Sequence, residues 1–260
     1  MIQFKTIQRF FTMLETNFNI RQNLQNINER IIEAYSKRKP ELQTGKPTLI
    51  CVSKTKPVDL ILEAYECGER HFGENYVQEL CDKSLDSRIL ELCPDIQWHF
   101  IGHLQTNKIN KLLSSKNLYM IQTIDSKKLA DNLNKALAKH ERDEKLKVLI
   151  QVNTSGEEEK HGVPVNEAPE IYNYVKENCQ NLDLQGIMTI GAFGYDLSQG
   201  PNPDFISLME IYNQIKTQNE NDPNLTVSMG MSDDFEHAIE LGSSMVRVGS
   251  SIFGARQYVK

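Results

Sequence analysis

No stretch of this chain stays apolar for the roughly 20 residues that a membrane-spanning helix needs, and no secretory signal core is present. A soluble, intracellular protein with no membrane partner is expected. Basic residues are not in excess either: 29 Lys and Arg stand against 35 Asp and Glu, a formal net charge of -6 that offers no broad attraction for nucleic acid. The five cysteines (Cys51, Cys67, Cys81, Cys93 and Cys179) are odd in number and never spaced C-x-x-C. That argues against a disulfide framework and a zinc knuckle, and a reducing compartment fits best. Internal repeats, linkers and low-complexity runs are also lacking. The expected location is cytoplasmic, with a mitochondrial address as the alternative, because the first twelve residues, MIQFKTIQRFFT, carry Lys5 and Arg9 and no acid.

What is present suits one large core. The chain has 260 residues with 39% hydrophobic content, and an α/β barrel uses about 250 residues as one domain. Residues 1–12 read as an extension and 13–260 as a single barrel domain. From Met13 to Lys39, apolar residues recur at helical spacing (Leu14, Phe18, Ile20, Leu24, Ile27, Ile31, Ile32) until Pro40 stops them, which predicts a helix on the outside of the body. Eight strands follow at Leu49–Ser53, Arg70–Phe72, Trp98–Gly102, Tyr119–Gln122, Lys147–Asn153, Leu184–Ile190, Thr226–Ser228 and Met245–Val248. Helices are expected between them at Pro57–Cys67, Glu74–Cys81, Asn107–Leu113, Lys127–His140, Asn166–Asn178, Pro203–Gln218 and Asp233–Leu241, with a short closing piece after Ser250. Eight strands with a helix in every interval predict a closed (β/α)8 barrel rather than an open doubly wound sheet. Gly194–Asp204 reads as an exposed loop, and no helix reads as an exposed apolar face, so a monomer is expected.

In such a barrel the reactive residues lie just past the C-terminal ends of the strands. Lys54 ends the first strand, Asn75 follows the second, His103 and Gln105 the third, Asn153 ends the fifth, Ser232 follows the seventh, and Arg247, Gly249 and Ser250 close the eighth. An amine carried to the mouth of an apolar core is desolvated, which lowers a lysine's pKa and makes it a nucleophile for an aldehyde. On position alone, a solvated loop cation beside Lys56 is the plain alternative. Opposite it, Gly230 and Ser232 after strand seven and Gly249 and Ser250 after strand eight read as two halves of a phosphate cup, with Ser232 as a helix N-cap. His99 and His103 share parity with Ile101, but no third ligand has a recognisable spacing, so no metal site is expected. His99 reads as a core histidine, His103 as a polar wall, and Trp98 as packing against the outer helices.

The runs VSKTKP (52–57), HFGENYVQEL (71–80), WHFIGHLQTNK (98–108), QVNTSGEEEKHG (151–162), GIMTIGAF (186–193) and MGMSDDFEHAIELGSSMVRVGSSIFGAR (229–256) resemble, in order, the pyridoxal 5′-phosphate (PLP) homeostasis family, also called the proline-synthase-co-transcribed family. Its fold is similar to the N-terminal barrel of alanine racemase. The resemblance implies a Schiff base between PLP and Lys54, with Arg247 at the pyridine nitrogen. It implies Ser232, Gly249 and Ser250 at the phosphate, Asn75 near the ring, and Asn153 and Met188 lining the pocket. A cation at that nitrogen keeps it unprotonated and weakens the ring as an electron sink. The family resembles a PLP carrier and buffer without established turnover, delivering the cofactor to PLP-dependent apo-enzymes. The chain ending soon after strand eight, without a second domain to supply another acid or base, is expected to fit that role. Two alternatives stand: a low-activity PLP-dependent racemase or decarboxylase using His103 or a lid residue as acid or base, and a lysine-dependent aldolase whose cup holds a sugar phosphate. The family's usual K-S-G is Lys160, His161, Gly162 here.

Overall fold

A computed structural model describes residues 19–255, except 43, 141, 143, 158 and 220–224. The expected extension 1–12 and the first residues of the expected N-terminal helix lie outside the described residues.

The strands are β1 (Thr48–Val52), β2 (His71–Glu74), β3 (Gln97–Phe100), β4 (Leu118–Ile124), β5 (Leu146–Asn153), β6 (Leu182–Met188), β7 (Thr226–Ser228) and β8 (Met245–Val248). They pair in parallel in the order β4-β3-β2-β1-β8-β7-β6-β5, and β4 also pairs with β5, so the sheet closes on itself. A further two-residue strand, Val163–Pro164, pairs with the end of β5 and was not foreseen. The strands are short and largely buried on both faces, as a sheet covered on both sides requires. In β1, Leu49 and Cys51 join the layer between sheet and helices while Ile50 points inward. Inside the barrel Ile50 meets Met120, Leu149, Met188 and Met245.

The helices are α1 (Ile20–Lys37), α2 (Val58–Glu66), α3 (Val77–Ser84), α4 (Ser87–Leu92), α5 (Ile109–Leu113), α6 (Lys127–Leu137), α7 (Ala168–Asn178), α8 (Pro203–Gln218), α9 (Phe235–Glu240) and α10 (Ser250–Phe253). Their starts follow local chemistry. Asn19 accepts from Gln22 N at 2.9 Å to cap α1, and Asn202 accepts from Asp204 N at 2.9 Å ahead of Pro203, which opens α8.

Helix α1 buries Ile20, Leu24, Ile27, Ile31 and Ala34, one stripe at helical spacing. It packs on α9 and α10, the helices that follow the last two strands. Asn23 Nδ2 donates to Ile252 O at 3.0 Å, Arg30 Nε donates to Glu236 Oε1 at 2.6 Å, and the buried Arg38 donates to Ile239 O at 2.8 Å and Thr44 Oγ1 at 2.7 Å. The first described helix therefore braces the end of the barrel where strands seven and eight deliver their loops. Among the described residues, no helix is long and apolar enough to cross a membrane.

Several expected bounds shift, among them the third strand, which is Gln97–Phe100, the fourth, which is Leu118–Ile124, and the helix from Lys127, which ends at Leu137. Two shifts have a clear cause. The second strand runs past Phe72 through Glu74, because Glu74 is a fully buried carboxylate paired with Lys83 rather than the first residue of a helix. The sixth strand begins two residues earlier and ends at Met188, since Thr189 onward turns into the rim loop.

Candidate functional site

A cleft of about 310 Å³ opens at the C-terminal ends of the strands, in the size range of a small-molecule site. Of the residues singled out in the sequence, Lys54, Asn75, Ser232, Arg247, Gly249 and Ser250 all line it. They come from the ends of β1, β2, β7 and β8. The remaining wall is Val52, Lys56, Ile101, Ile190, Ala192, Phe193, Gly194, Met231, Asp233, Asp234 and Gly254.

The turn that carries Lys54 is held from behind. Ser53 Oγ donates to Glu74 Oε1 at 2.7 Å, and Ser53 O accepts from Lys83 Nζ at 2.8 Å. Lys83 Nζ also bonds Glu74 Oε1 at 2.8 Å and Glu79 Oε1 at 2.6 Å. Next to Lys54, Thr55 has φ +62°, a left-handed conformation that a β-branched residue rarely adopts. Its N–H is fixed on Glu79 Oε1 at 2.6 Å. Burial pushes the Glu74 carboxyl up to about 7 against the pull of Lys83.

Asn75 sits where two strand ends come unusually close. A Cβ on Gly102 would stand 2.0 Å from Asn75 O, so only glycine allows that approach. Asn75 Oδ1 is buried with no hydrogen-bond partner among the described residues. A buried amide oxygen without a donor fits a site shaped around a ligand that brings one.

The loops after β7 and β8 interlock. Gly249 N donates to Ser232 Oγ at 3.2 Å, and Gly230 turns at φ +92°, where an added Cβ would lie 2.5 Å from Ala238 Cβ. Ser232 is not the N-cap expected from the sequence: α9 starts after Asp234, and Asp234 Oδ1 accepts from Met231 N at 2.6 Å. The Ser232 hydroxyl is thereby committed to the β8 loop and the cleft. Ser250 does open a short helix, whose first N–H groups have no acceptor inside the helix by its geometry. Lys54, Lys56 and Arg247 share this cleft's lining with two acids, Asp233 and Asp234. Burial holds Asp234 above its ordinary range, and Lys56 below its own.

Arg247 reaches the cleft from inside the barrel. Its Nη1 donates to Ser228 Oγ at 2.6 Å and its Nη2 to Thr189 O at 2.8 Å. Burial lowers the guanidinium to about 10, with Asp234 acting in the opposite sense, so it stays charged at neutral pH.

Asn153 and Met188 are not part of the lining. Met188 belongs to the apolar layer inside the barrel. Asn153 organises the loop after β5, donating to Glu157 O at 2.9 Å and Lys160 O at 3.1 Å and accepting from Gly156 N at 3.1 Å. His103 also lies outside the lining. Its Nδ1 is 3.1 Å from Asp125 Oδ2, and its ring stacks on His161 with centroids 3.5 Å apart and planes 9° apart. These three residues are the only group among the described residues whose ligand atoms approach closely enough to share a metal ion. Nearly parallel rings aim their in-plane lone pairs side by side, not at a common point. His99 is a core histidine as expected, fully buried and bonded to His71 and Gln122.

Lys56, Phe193, Met231, Asp233 and Asp234 also line the cleft and were not expected there from the sequence. Strand parity could have placed Ser228 beside Arg247, since both sit at inward positions near strand ends.

Comparison with known proteins follows the same lines. Residues 19–257 match the alanine racemase N-terminal domain family. The human pyridoxal phosphate homeostasis protein is 51% identical over 238 residues, which cover 91% of this chain and 86% of that protein. The chain belongs to the pyridoxal phosphate homeostasis protein family. PipY of Synechococcus elongatus, solved with PLP bound, matches with a TM-score of 0.73 and 28% identity over 91% of this chain and 100% of PipY. An alanine racemase of Clostridium difficile matches with a TM-score of 0.62 and 16% identity over 93% of this chain and 57% of its own, a likeness of fold.

Proposed function

We propose that this protein holds PLP in the rim cleft as a Schiff base on Lys54 and acts in PLP homeostasis as a carrier and buffer. The observation that carries the reading is the convergence of Lys54, Asn75, Ser232, Arg247, Gly249 and Ser250, from four strand ends, on one cleft. PLP brings an aldehyde that a lysine amine captures with loss of water, a phosphate and a pyridine ring. Ser232 and the backbone at Gly249 and Ser250 would hold the phosphate, and Asn75 would meet the ring substituents. Arg247 would donate to the pyridine nitrogen. A guanidinium cannot give up its proton there, so the ring stays a weak electron sink, which suits retention over turnover.

The low-activity enzyme reading loses one of its two candidate acids or bases, since His103 is turned to Asp125 and His161 rather than to the cleft. The carrier role is tested by mixing loaded protein with a PLP-dependent apo-enzyme of known activity. Activity should be restored while the bound-PLP absorbance of this protein falls in step, and Lys54→Ala should neither develop that absorbance nor serve as donor. Deuterium entering the α-carbon of an amino acid at a rate lost in Lys54→Ala would overturn the carrier reading in favour of an enzyme.

A further inference from the structure

Behind Arg247 a line of buried polar side chains crosses the barrel. Arg247 Nη1 donates to Ser228 Oγ at 2.6 Å, Ser228 Oγ donates to Gln122 Oε1 at 2.8 Å, Gln122 Nε2 lies 3.0 Å from His99 Nδ1, and His99 Nε2 lies 2.8 Å from His71 Nδ1. Ser228, Gln122 and His99 are fully buried. The line starts near the C-terminal end of β8 and finishes at the first residue of β2, at the N-terminal end of that strand.

The chemistry of these groups allows one direction only. A guanidinium donates and never accepts, so Ser228 accepts from it and its single hydroxyl hydrogen goes to the Gln122 oxygen. The amide orientation follows: Nε2 faces His99 and has Met245 Sδ at 3.0 Å as its second partner, and a reversed amide would set oxygen against sulfur. A donor at Gln122 makes His99 Nδ1 an acceptor and puts the histidine's hydrogen on Nε2. That hydrogen in turn makes His71 Nδ1 an acceptor. Both histidines are therefore neutral, each with its hydrogen on Nε2.

The surroundings agree. Burial first, then His71 and Lys147, hold His99 well below the ordinary histidine range, and burial and Lys147 lower His71. Tyr119, from β4, lies with its ring 5.2 Å from His99 and 5.5 Å from His71, and its hydroxyl accepts from Lys147 Nζ, from β5, at 2.8 Å.

We infer that Ser228, Gln122 and His99 are positioning residues for Arg247: a one-way hydrogen-bond chain that holds the guanidinium toward the cleft and carries its donor order to His71 at the far end of the barrel. The chain is defined by geometry alone; its bearing on PLP rests on the reading of Arg247 above. Adding a hydrogen to His71 Nδ1 would set it against the His99 Nε2 hydrogen. Relief would require His99 to take the other tautomer, Gln122 to turn over and Ser228 to lose its acceptor. A hydrogen placed on His71 Nδ1 therefore disturbs the Ser228 contact that holds Arg247, and by linkage a ligand that holds Arg247 resists it.

The test has two readouts. In protein without PLP, labelled with ¹⁵N-histidine, His99 should show the Nε2–H tautomer unchanged between about pH 6 and 8. An Nδ1–H tautomer or an imidazolium overturns the chain. Gln122→Glu keeps the acceptor for Ser228 but removes the donor toward His99, so the His99 hydrogen should move to Nδ1 and the His71 ring signals should shift with it. Unmoved His71 signals would mean that the chain is not continuous. The second readout is PLP labelled with ¹⁵N in the pyridine ring. Gln122→Met removes both amide bonds at nearly constant volume, and it should shift the pyridine signal and weaken PLP binding about tenfold, the loss expected when buried polar partners are stranded. A folded Gln122→Met protein with unchanged signal and affinity overturns the positioning role. If Arg247→Lys also leaves the pyridine signal unmoved, the reading of Arg247 fails while the tautomer result stands separately.

Discussion

Glu74 should make this protein less stable as pH rises through neutrality, and replacing it should remove that dependence. Its side chain is fully buried, and its Oε2 has no hydrogen-bond partner among the described residues. Burial raises its pKa from an ordinary 4.5 to about 7 despite the Lys83 ammonium 2.8 Å away. The folded state therefore holds a proton that the unfolded state releases at lower pH. Between those two values folding takes up a proton, so the stability linked to this group is fully present below about 4.5 and is lost as pH rises through about 7. At about 1.4 kcal/mol per tenfold change, the full swing is on the order of 3 kcal/mol, a large share of a typical domain's stability. Glu74→Gln keeps an acceptor for Ser53 and Lys83 and cannot titrate. Urea unfolding of both proteins at several pH values from about 5 to 8 isolates the effect, because other titrating groups cancel in the difference. The wild type should lose most of those 3 kcal/mol relative to Glu74→Gln across that range. A difference that stays flat with pH would refute the argument. The same variant bears on the site, because Glu74 and Lys83 grip Ser53, the residue before Lys54.

Three further outcomes are expected. Gly230→Ala should cost at least about 1–3 kcal/mol, since alanine would be strained at φ +92° and its Cβ would meet Ala238 at 2.5 Å; thermal unfolding reads the loss, and an unchanged midpoint would contradict the turn geometry. Phe193 lines the cleft while 83% exposed, so Phe193→Ala should leave stability within about 0.5 kcal/mol but speed the release of PLP, measured by trapping released cofactor; an unchanged release rate would remove Phe193 from the site. Of the five cysteines, only Cys67 is not buried, and burial raises the Cys51 thiol well above its ordinary range and those of Cys93 and Cys179 to about 11; a thiol reagent should therefore titrate one fast group in native protein.

Much of the barrel was legible because its elements have consistent local chemistry. Thr226–Ser228, Met245–Val248 and Pro203–Gln218 were expected with the bounds they have, being short apolar runs with sharp stops or a proline at the helix start. Helix α4 was missed for the opposite reason. It buries only Ile89 and leaves Leu90 and Leu92 about half exposed, so its apolar residues carry no helical stripe. Glu74 was misread because a carboxylate in a strand makes sense only with Lys83, a partner nine residues away that the fold supplies. The site followed the same division. Strand-end position brought six residues into view, while Asp233, Asp234 and Phe193 became visible only once the rim loops met. Ser232 lines the cleft but caps no helix, because the Asp234 and Phe235 N–H groups that such a cap would accept go to Met231 O, which leaves the hydroxyl for Gly249.

The most direct test of the central claim is covalent. Protein loaded with PLP and reduced with borohydride should carry one pyridoxyl-phosphate adduct, and peptide mass spectrometry should find it on Lys54. An adduct on another lysine, Lys56 included, or none after loading, would contradict the account.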